Sequence, residues 1–390
     1  MIYIDVSQLS QWLAKGRHLT GIQRLTLNCV VGLHGIVGSD NVRVIIFDSA
    51  SNGFKAARAE YIISTDKSSA KVCETKMENP VFGPGDQILL TEWIFSERIS
   101  KALFDLSSRV EAKVFQFVHD CIPLARPDLF RKYLVEDFRR KMGLAVAQAD
   151  VVLTNSEYSK QDILKFFGNE LGEGKEVQVV KLAHEFLACG NPVAAVEPSE
   201  VPRLGKLPKA LAQRPFVMMV GTLEERKNTQ LALKLWRRLQ KRHNGAAPVL
   251  VLVGSYGWHK LGLLAAVIAG RFFSRSIYHL QNCDDETLSE LYRRCQFTIY
   301  LSKYEGWGLP VGESMWMGKP VLCSNMTSLP EAGQDLVDYV DPEDSVATFA
   351  ALERLCFDKD YREAKAANLK RDKLRSVREF AQRLSEALRS

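Results

Sequence analysis

The feature that most constrains the fold is a regular alternation of short apolar runs with longer segments of helical periodicity, which occurs in two successive series. Short runs rich in Val, Ile and Phe predict strands that are buried on both faces. Such strands, when helices separate them, are typical of parallel sheets of the doubly wound type. The pattern therefore predicts an α/β chain with two doubly wound parallel-sheet domains.

The predicted elements of the two series have similar lengths and spacing. The first series predicts strands at 2–6, 42–47, 87–91, 113–118, 150–154 and 177–182, with helices near 21–36, 98–107, 130–148 and 156–166. The second series predicts strands at 216–220, 249–253, 276–280, 297–301 and 320–323, with helices near 229–242, 258–273, 285–295 and 310–317. Ligands of open parallel sheets bind beyond the carboxyl ends of the strands, so we expect two such sheets to face each other across a cleft.

The boundary between the domains is predicted from composition. Residues 191–215 carry five prolines and no apolar periodicity, which is typical of a linker. We therefore predict an amino-terminal domain at 1–195, a linker at 196–214 and a carboxyl-terminal domain at 215–372. A final helix at 373–390 could cross back to the first domain.

The overall charge and the cysteine pattern exclude several classes of protein. The net charge of +6 is spread over 52 basic and 46 acidic residues, unlike the dense basic runs of nucleic-acid-binding proteins. None of the eight cysteines forms a Cys-x-x-Cys pair, which predicts reduced thiols in a cytoplasmic protein. The longest apolar run, at 261–270, is half of the ~20 residues that cross a bilayer.

Two adjacent cations follow a predicted strand of the second series. Gly221 and Thr222 directly follow the run FVMMV, and Arg226 and Lys227 lie in the loop that precedes the next helix. Each cation could give charge-assisted hydrogen bonds to the oxygens of a diphosphate. A pair of solvated loop residues is the alternative interpretation of the same pattern.

The stretch YEGWGLPVGES, at 304–314, combines two glutamates with a glycine turn. Gly306 and Gly308 would allow a tight turn beside a ligand, and Pro310, directly after Leu309, suits the first turn of a helix whose free N–H groups attract phosphate. Glu305 would precede this helix, and Glu313 would lie within its first turns. Ordinary surface glutamates around a helix start are the alternative.

Polar residues also follow strands of the first series. His119 and Asp120 come directly after the run KVFQFV, at the position where parallel sheets bind ligands. Gly21 closes the loop GRHLTG that follows the first strand, and we interpret this loop as a second place where backbone could approach phosphate. A satisfied histidine at a strand end is the alternative for His119.

Taken together, these segments resemble the family-four retaining glycosyltransferases of the GT-B fold along almost the whole chain. The segments that carry the resemblance are TGIQR (20–24), HDCIPL (119–124), TNSEYSKQDI (154–163), VGTLEERKN (220–228), YEGWGLPVGES (304–314) and PVLCSN (320–325). The most specific is the pair of glutamates at Glu305 and Glu313, separated by seven residues. The resemblance implies two Rossmann-like domains.

The resemblance also implies an activity and residue roles. It implies transfer of a hexose, with mannose or a deoxyhexose favoured, from a nucleotide-diphosphate sugar to a hydroxyl of a glycan or lipid-linked acceptor, in bacterial polysaccharide or lipopolysaccharide assembly. Arg226 and Lys227 would stabilise the departing diphosphate, and Glu305 would contact the transferred sugar. Glu313 would contact the ribose, His119 the donor sugar, and Gly21 would let its loop approach both substrates.

Three positions depart from the pattern of the family. Thr222 stands where relatives often carry arginine, so Arg226 and Lys227 could carry the phosphate load alone. Trp307 replaces a common phenylalanine, and Gln23 replaces a glycine of the first loop. No His-Glu-x-x-His motif occurs, and no Asp-x-Asp triplet lies in the strand-end loops named above, so we expect neither a metal nor another cofactor.

Other functions remain open at this stage. Another GT-B enzyme, such as an epimerase or a phosphorylase, and a two-domain protein that binds a carbohydrate polymer without turnover are the alternatives. The apolar segment at 261–270 has basic and aromatic flanks, which is consistent with peripheral contact with the cytoplasmic membrane. A packed helix of the second domain is the competing interpretation of that segment.

Overall fold

The computed structural model describes residues 1–15, 19–63, 77–92, 97–172, 174–187, 211, 214–257 and 276–389. These residues form two compact units. The first unit contains the described residues of Met1–Leu182 and of Ser376–Ser390, and the second contains those of Ala183–Ala188 and of Ala195–Arg375. The predicted linker, apart from Leu211 and Arg214, and the apolar segment at 258–275 lie outside the described residues.

The first unit is built on a seven-stranded sheet. Its strands are β1 (Ile2–Asp5), β2 (Val42–Asp48), β3 (Gly53–Arg58), β4 (Gln87–Leu90), β5 (Lys113–Val118), β6 (Val151–Thr154) and β7 (Val177–Val179). Their order is β3-β2-β1-β4-β5-β6-β7, and only the pair of β2 and β3 is antiparallel. The sequence pattern did not predict β3, because GFKAAR has no sustained apolar alternation.

The second unit is built on a six-stranded sheet that is parallel throughout. Its strands are β8 (Phe216–Val220), β9 (Val249–Val253), β10 (Ile277–Leu280), β11 (Thr298–Tyr300), β12 (Val321–Ser324) and β13 (Asp338–Val340). The order β10-β9-β8-β11-β12-β13 is that of a Rossmann sheet, in which the chain reverses direction across the sheet between its first and fourth strands. The reversal therefore lies between β8 and β11.

Helices connect the strands in both units. In the first unit they are Ser7–Ala14, Gly21–Val37, Glu60–Ile63, Glu97–Val110, Ile122–Ala125, Lys132–Gln148, Glu157–Leu171 and Val377–Arg389. In the second unit they are Thr229–Arg242, Asp285–Arg294, Leu309–Trp316, Leu329–Gly333, Ser345–Phe357 and Lys359–Ala367. With two sheets of this type, the structure confirms the predicted α/β fold class of two Rossmann-like domains.

Apolar strands and one face of each helix make the cores. VLVLV of β9 is fully buried, because helices cover both faces of the sheet. The helix Thr229–Arg242 buries Leu233, Trp236 and Leu239 against one face, whereas Tyr292 and Val311 pack on the other. Burial of this kind contributes roughly 25 cal/mol per Å² of apolar surface.

The last helix belongs to the first unit, not to the second. Val377–Arg389 packs on Gly21–Val37, and a Cβ atom at Gly32 would lie 2.6 Å from the Cβ atom of Ala381. Gln87 also donates a hydrogen bond to the carbonyl oxygen of Leu388. The sequence allowed this helix to return to the first domain, and it lies in the first unit. Residues Ala183–Ala188, which the predicted boundary at 195 assigned to the first domain, belong to the second unit.

Among the described residues, no helix combines the length and the apolar character that crossing a membrane requires.

Candidate active site

The candidate site of the second unit lies at the carboxyl ends of β8 and β11. These two strands are neighbours in the sheet although Val220, the last residue of β8, and Thr298, the first of β11, are 78 positions apart (298 − 220) in the sequence. Their loops leave at the point where the strand order reverses. Open parallel sheets bind ligands at this point, because the two connecting helices run to opposite faces and leave a crevice between their loops.

Glu305 is held by both of the predicted cations. Lys227 Nζ donates to Glu305 Oε1 at 2.6 Å, and Arg226 NH1 donates to Glu305 Oε2 at 2.6 Å. The same guanidinium nitrogen donates to the carbonyl oxygen of Tyr304 at 2.8 Å. Three of the residues singled out in the sequence therefore meet at one point, in spite of their distance along the chain.

The charge balance of this cluster keeps Glu305 ionised. Burial opposes ionisation of its carboxyl group, but the charges of Arg226 and Lys227 outweigh burial and lower its pKa to about 2. Glu224 supplies a second carboxylate, which accepts from Arg226 NH2 at 2.6 Å. The two cations thus pair with two carboxylates.

Two glycines let the loops of this cluster approach closely. Gly221 has φ +138°, and the Lys227 side chain lies over it, with Cε 3.5 Å from the position of an added Cβ atom. Gly254, after β9, has φ +143°, and an added Cβ atom there would lie 2.2 Å from the carbonyl oxygen of Gly221. Only glycine fits at Gly254, because both the contact and the backbone conformation exclude a side chain.

The backbone at Glu305 is fixed by residues that the sequence analysis did not name. Thr327 Oγ1 accepts from the Glu305 N–H at 3.0 Å and donates to the Glu305 carbonyl at 3.1 Å. Ser328 Oγ donates to the same carbonyl at 2.8 Å. Both residues follow β12, so their position after a strand is the signal that could have identified them.

The glycine turn after Glu305 opens the helix Leu309–Trp316 as predicted. Gly308 is the residue before the helix and has φ +103°, whereas Gly306 is buried and is not among the glycines of positive φ. An added Cβ atom at Gly308 would lie 2.6 Å from Leu329 Cδ2. The positive end of this helix dipole therefore begins four residues after Glu305.

Glu313 lies within this helix and contacts a residue of another helix, Asp285–Arg294. Its Oε2 accepts from the hydroxyl of Tyr292 at 2.9 Å, and both side chains are buried. Burial and the nearby Glu313 charge hold the pKa of Tyr292 well above its usual range, so that hydroxyl stays a donor. Tyr292 was not predicted, because nothing in DETLSELYRR distinguishes it from a core residue.

The remaining predicted donor-site residues, Thr222 and Leu309, are more exposed than Glu305. Thr222 is exposed, and the adjacent Leu223 forms a bridge with Tyr256. Leu309 is the first residue of its helix and is half-buried.

The candidate residues of the first unit are described separately. His119 follows β5 and is buried, and its Nε2 lies 2.6 Å from the carbonyl oxygen of Thr91. Burial lowers the pKa of His119 to about 4, and the Thr91 contact offsets this only in part. The ring is therefore neutral near pH 7. If Nε2 donates to Thr91, Nδ1 is an acceptor, which would suit a sugar hydroxyl as donor.

Gly21 is the first residue of the helix Gly21–Val37 and is exposed. Thr20 precedes it in an extended conformation and contacts Gln23 through its side chain. The preceding residues 16–18 of the predicted loop lie outside the described residues.

Two buried carboxyl groups lie at the strand ends of the first unit, where the sequence analysis placed none. Glu92, after β4, accepts from the N–H groups of Gln8 and Leu9 at 2.6 and 2.7 Å, and so anchors the start of the helix Ser7–Ala14. Asp5 accepts from the N–H and the hydroxyl of Ser7. Burial raises the pKa of both carboxyl groups, and their mutual repulsion contributes at Glu92.

In the part of the chain that the structure describes, no group of three or more His, Cys, Asp or Glu side chains is arranged to hold a metal ion. The sequence does contain one Asp-x-Asp triplet, Asp358-Lys359-Asp360, outside the predicted site. There Asp358 accepts from the Tyr361 N–H and starts the helix Lys359–Ala367, so the triplet has a structural explanation.

Comparison with protein families matches residues 207–372 to the glycosyl transferases group 1 family. This range contains Arg226, Lys227, Glu305 and the helix that follows them. Residues 207–372 of the chain are therefore similar to members of this family. The resemblance seen in the sequence is therefore confirmed, and the candidate site lies in the part of the chain that carries the family match.

The chain has relatives that are named as mannosyltransferases. It is 32% identical over 267 residues to the O-antigen chain mannosyltransferase B of Escherichia coli, covering 68% of this chain and 66% of that protein. It is 25% identical over 350 residues to the serotype-specific mannosyltransferase WbdA of Escherichia coli, covering 88% of this chain and 40% of that protein. The chain thus spans just under two thirds of the first relative and well under half of the second.

Solved structures share the two-domain architecture of the chain. Anabaena HepE in complex with UDP-glucose matches with a TM-score of 0.61 and 14% identity over 100% of this chain and 99% of that one. A trehalose-6-phosphate structure from E. coli, bound with UDP-2-fluoro glucose, matches with a TM-score of 0.58 and 15% identity over 79% and 74%. Likeness at this identity shows the fold alone, which is the predicted GT-B fold.

Proposed function

We propose that the chain transfers a hexose from a nucleotide-diphosphate sugar to a hydroxyl group of a glycan or lipid-linked acceptor. The observation that carries the proposal is the meeting of Arg226, Lys227 and Glu305 at the reversal of the strand order in the second sheet. Two cations and one ionised carboxylate are the groups that a diphosphate leaving from a sugar requires.

The cations match the charge that develops on the leaving group. When the bond between the anomeric carbon and the diphosphate oxygen breaks, the electron pair stays on the diphosphate. Arg226 can bind two phosphate oxygens through its planar fork, and Lys227 supplies a point charge beside it. The N-terminus of the helix Leu309–Trp316 adds a partial positive charge in the same loop region.

Glu305 would contact the sugar when Arg226 and Lys227 bind the phosphates. With a pKa of about 2 it is a carboxylate throughout the physiological range, so it accepts hydrogen bonds and stabilises positive charge at the anomeric carbon. The acceptor hydroxyl forms the new bond to that carbon and loses its proton, which the released diphosphate can take up. We propose that the configuration at the anomeric carbon is retained, and we assign no nucleophile.

The sugar and the pathway are proposed from the relatives. The mannosyltransferases of Escherichia coli O-antigen favour mannose as the transferred hexose and a growing polysaccharide as the acceptor. GDP-mannose is therefore the first donor to test. We also propose that turnover needs no divalent metal, because Arg226 and Lys227 provide the positive charge that a metal supplies in other glycosyltransferases.

The deciding experiment offers the protein a panel of GDP- and UDP-sugars with mannose-containing oligosaccharides, and measures released nucleoside diphosphate. We expect release from one donor, dependent on the acceptor and unchanged by EDTA, with a product of the same anomeric configuration as the donor. Inorganic phosphate in place of the acceptor tests for a phosphorylase, and donor isomerisation without release tests for an epimerase.

A non-catalytic carbohydrate-binding protein is the alternative from another class. It predicts oligosaccharide binding without donor consumption by any member of the panel. The Lys227→Ala variant serves as the matched control, since a contaminating enzyme would turn over donor equally in both preparations. Equal release by the wild type and this variant would exclude the proposed site.

We also propose peripheral contact with an anionic membrane surface. The helix Thr229–Arg242 contains five cations and no acidic residue, and its exposed positions repeat at helical spacing: Lys234, Arg237, Arg238, Lys241 and Arg242. Anionic headgroups attract such a surface by about 1 kcal/mol per cation.

Flotation with vesicles of phosphatidylglycerol and phosphatidylcholine tests this contact. We expect binding at low salt that falls when Lys234, Arg237 and Lys241 are changed to Gln. The matched control changes Lys132, Arg139 and Arg140, which are exposed cations of the first unit, to Gln. No flotation at low salt, or equal loss in both triple variants, would contradict a contact through this helix.

A further inference from the structure

His184 connects three segments of the second unit, although it belongs to none of the motifs that carry the family resemblance. It is fully buried. Its backbone N–H donates to the carbonyl oxygen of Arg375 at 2.8 Å, and its Nδ1 accepts from the Arg375 N–H at 2.8 Å. Its Nε2 lies 3.1 Å from the carbonyl oxygen of Ala332.

These contacts assign the protonation of the ring. Nδ1 faces an N–H group and must accept, so Nε2 carries the proton and donates to Ala332. Both ring nitrogens are therefore used, and the imidazole is neutral. A side chain that offers one acceptor and one donor at this spacing is needed to satisfy both partners.

His184 and Arg375 also occupy a distinctive place along the chain. Residues up to Leu182 belong to the first unit, and residues from Ser376 onward belong to it again. The hydrogen bonds between His184 and Arg375 therefore join, within the second unit, the two segments through which the described chain enters and leaves that unit.

The ring of His184 packs against the start of the helix that follows Glu305. It stacks on Trp307 with 6.5 Å between ring centroids and 27° between planes. An added Cβ atom at Gly312 would lie 3.0 Å from both Cα and Cδ2 of His184. Trp307 and Gly312 lie on either side of the first turn of Leu309–Trp316, the helix proposed to bind phosphate.

We propose that His184 is a positioning residue for the donor site. It fixes the position of the first turn of Leu309–Trp316, and of the loop that carries Glu305, relative to the segment at Arg375 where the chain leaves the unit. This inference rests on the proposed function, because it assigns a residue to the diphosphate site. His184 itself does not touch the phosphates; it acts through Trp307 and Gly312.

Four variants test the proposal by separate routes. His184→Ala removes all ring contacts. His184→Asn retains an acceptor near the position of Nδ1, and His184→Gln retains a donor near the position of Nε2. Gly312→Ala leaves His184 intact but pushes the helix away from it. Gly168→Ala, in an exposed helical position with no atom within 4 Å of the added Cβ, is the matched control.

The readouts are the dissociation constant for GDP or UDP by calorimetry, the KM for the donor, kcat, and the melting temperature. We expect His184→Ala and Gly312→Ala to raise the dissociation constant and KM about tenfold, which corresponds to about 1.4 kcal/mol, with a smaller change in kcat. His184→Asn and His184→Gln should each restore part of the affinity, and Gly168→Ala should leave the dissociation constant, KM and kcat unchanged.

A purely structural role would lower the melting temperature and leave nucleotide affinity of the folded protein unchanged. That result in His184→Asn, His184→Gln and Gly312→Ala would overturn the proposal, even if His184→Ala failed to fold. Failure of the wild type to bind any nucleoside diphosphate would instead contradict the proposed function. The two inferences therefore fail in distinguishable ways.

Discussion

Lys227 Nζ lies 2.6 Å from Glu305 Oε1, although 78 residues separate the two along the chain. The contact exists because β8 and β11 are neighbours in the sheet, so the loops that follow them emerge side by side. Arg226 NH1 donates to the other carboxylate oxygen of Glu305, Oε2. The carboxylate of Glu305 therefore contacts both cations that we propose for the diphosphate.

The first prediction concerns Lys227→Ala. We expect kcat/KM for the donor to fall by at least about a hundredfold, because the variant loses one of two charges on the leaving diphosphate, and such groups contribute roughly 2.7–4 kcal/mol. Initial rates with the best donor of the panel measure the effect. Turnover within threefold of the wild type would show that Lys227 does not face the leaving group.

The second prediction concerns Glu305→Gln, which should lower kcat strongly. Glu305 is only 6% exposed and is paired with two cations. Removing its charge leaves Lys227 partly buried without its partner, at a cost of about 1–3 kcal/mol. Thermal unfolding should therefore show a lower melting temperature, and an unchanged one would contradict the burial of this pair.

The third prediction separates two adjacent glutamates. Glu224 accepts from Arg226 NH2, whereas its neighbour Glu225 is exposed and starts the 3-10 turn. Glu224→Gln should free the guanidinium to move and weaken nucleoside diphosphate binding several-fold, since one of the two carboxylates that orient it is lost. Glu225→Gln is the matched control, with the same change of charge in the same loop. Equal dissociation constants for both variants, measured by calorimetry, would show that Glu224 does not contribute to nucleoside diphosphate binding.

The sequence predicted the loops of the site because strand ends can be recognised locally. A buried apolar run followed by Gly221 or by Ser302 marks the carboxyl end of a strand, and ligands of parallel sheets bind there. The strand order, which decides that β8 and β11 are neighbours, followed only from the family resemblance. The proximity of Lys227 and Glu305 was therefore an expectation of the GT-B fold and not of the local pattern.

Other parts of the structure have no local signal. β3 and β13 are half-polar edge strands that lack an apolar alternation. Tyr292 and His184 gain their roles from partners 21 and 191 residues away. The packing of the last helix on Gly32 likewise depends on a contact between opposite ends of the chain.

The fourth prediction concerns Gly254→Ala. The added methyl group would overlap the Gly221 carbonyl oxygen at 2.2 Å, and φ +143° is unfavourable for alanine. The two strand-end loops would have to separate, so we expect loss of nucleotide binding and a lower melting temperature. Gly168→Ala, in the helix Glu157–Leu171, should instead stabilise the protein by about 0.5–1 kcal/mol. Normal nucleotide affinity in Gly254→Ala would show that this close approach does not shape the site.

The fifth prediction concerns the pH dependence of the first unit. His119 titrates with its ordinary pKa of 6.5 when unfolded but with a pKa lowered to about 4 when folded. Between these values the unfolded chain binds a proton that the folded chain does not, so stability is greatest above pH 6.5 and falls as the pH decreases toward 4. From pH 7 to pH 5 the loss attributable to this group is about 2 kcal/mol.

His119→Gln removes this titration while keeping an amide that can donate to the Thr91 carbonyl. Hydrogen exchange of the β5 amides, measured at pH 7 and pH 5 and corrected for intrinsic rates, reports the stability of this unit directly. The wild type should lose about 2 kcal/mol more protection than the variant over this interval. Parallel losses in the two proteins would mean that folding does not lower the pKa of His119, so that at pH 5 the folded ring is an imidazolium with no acceptor nitrogen to offer a sugar hydroxyl.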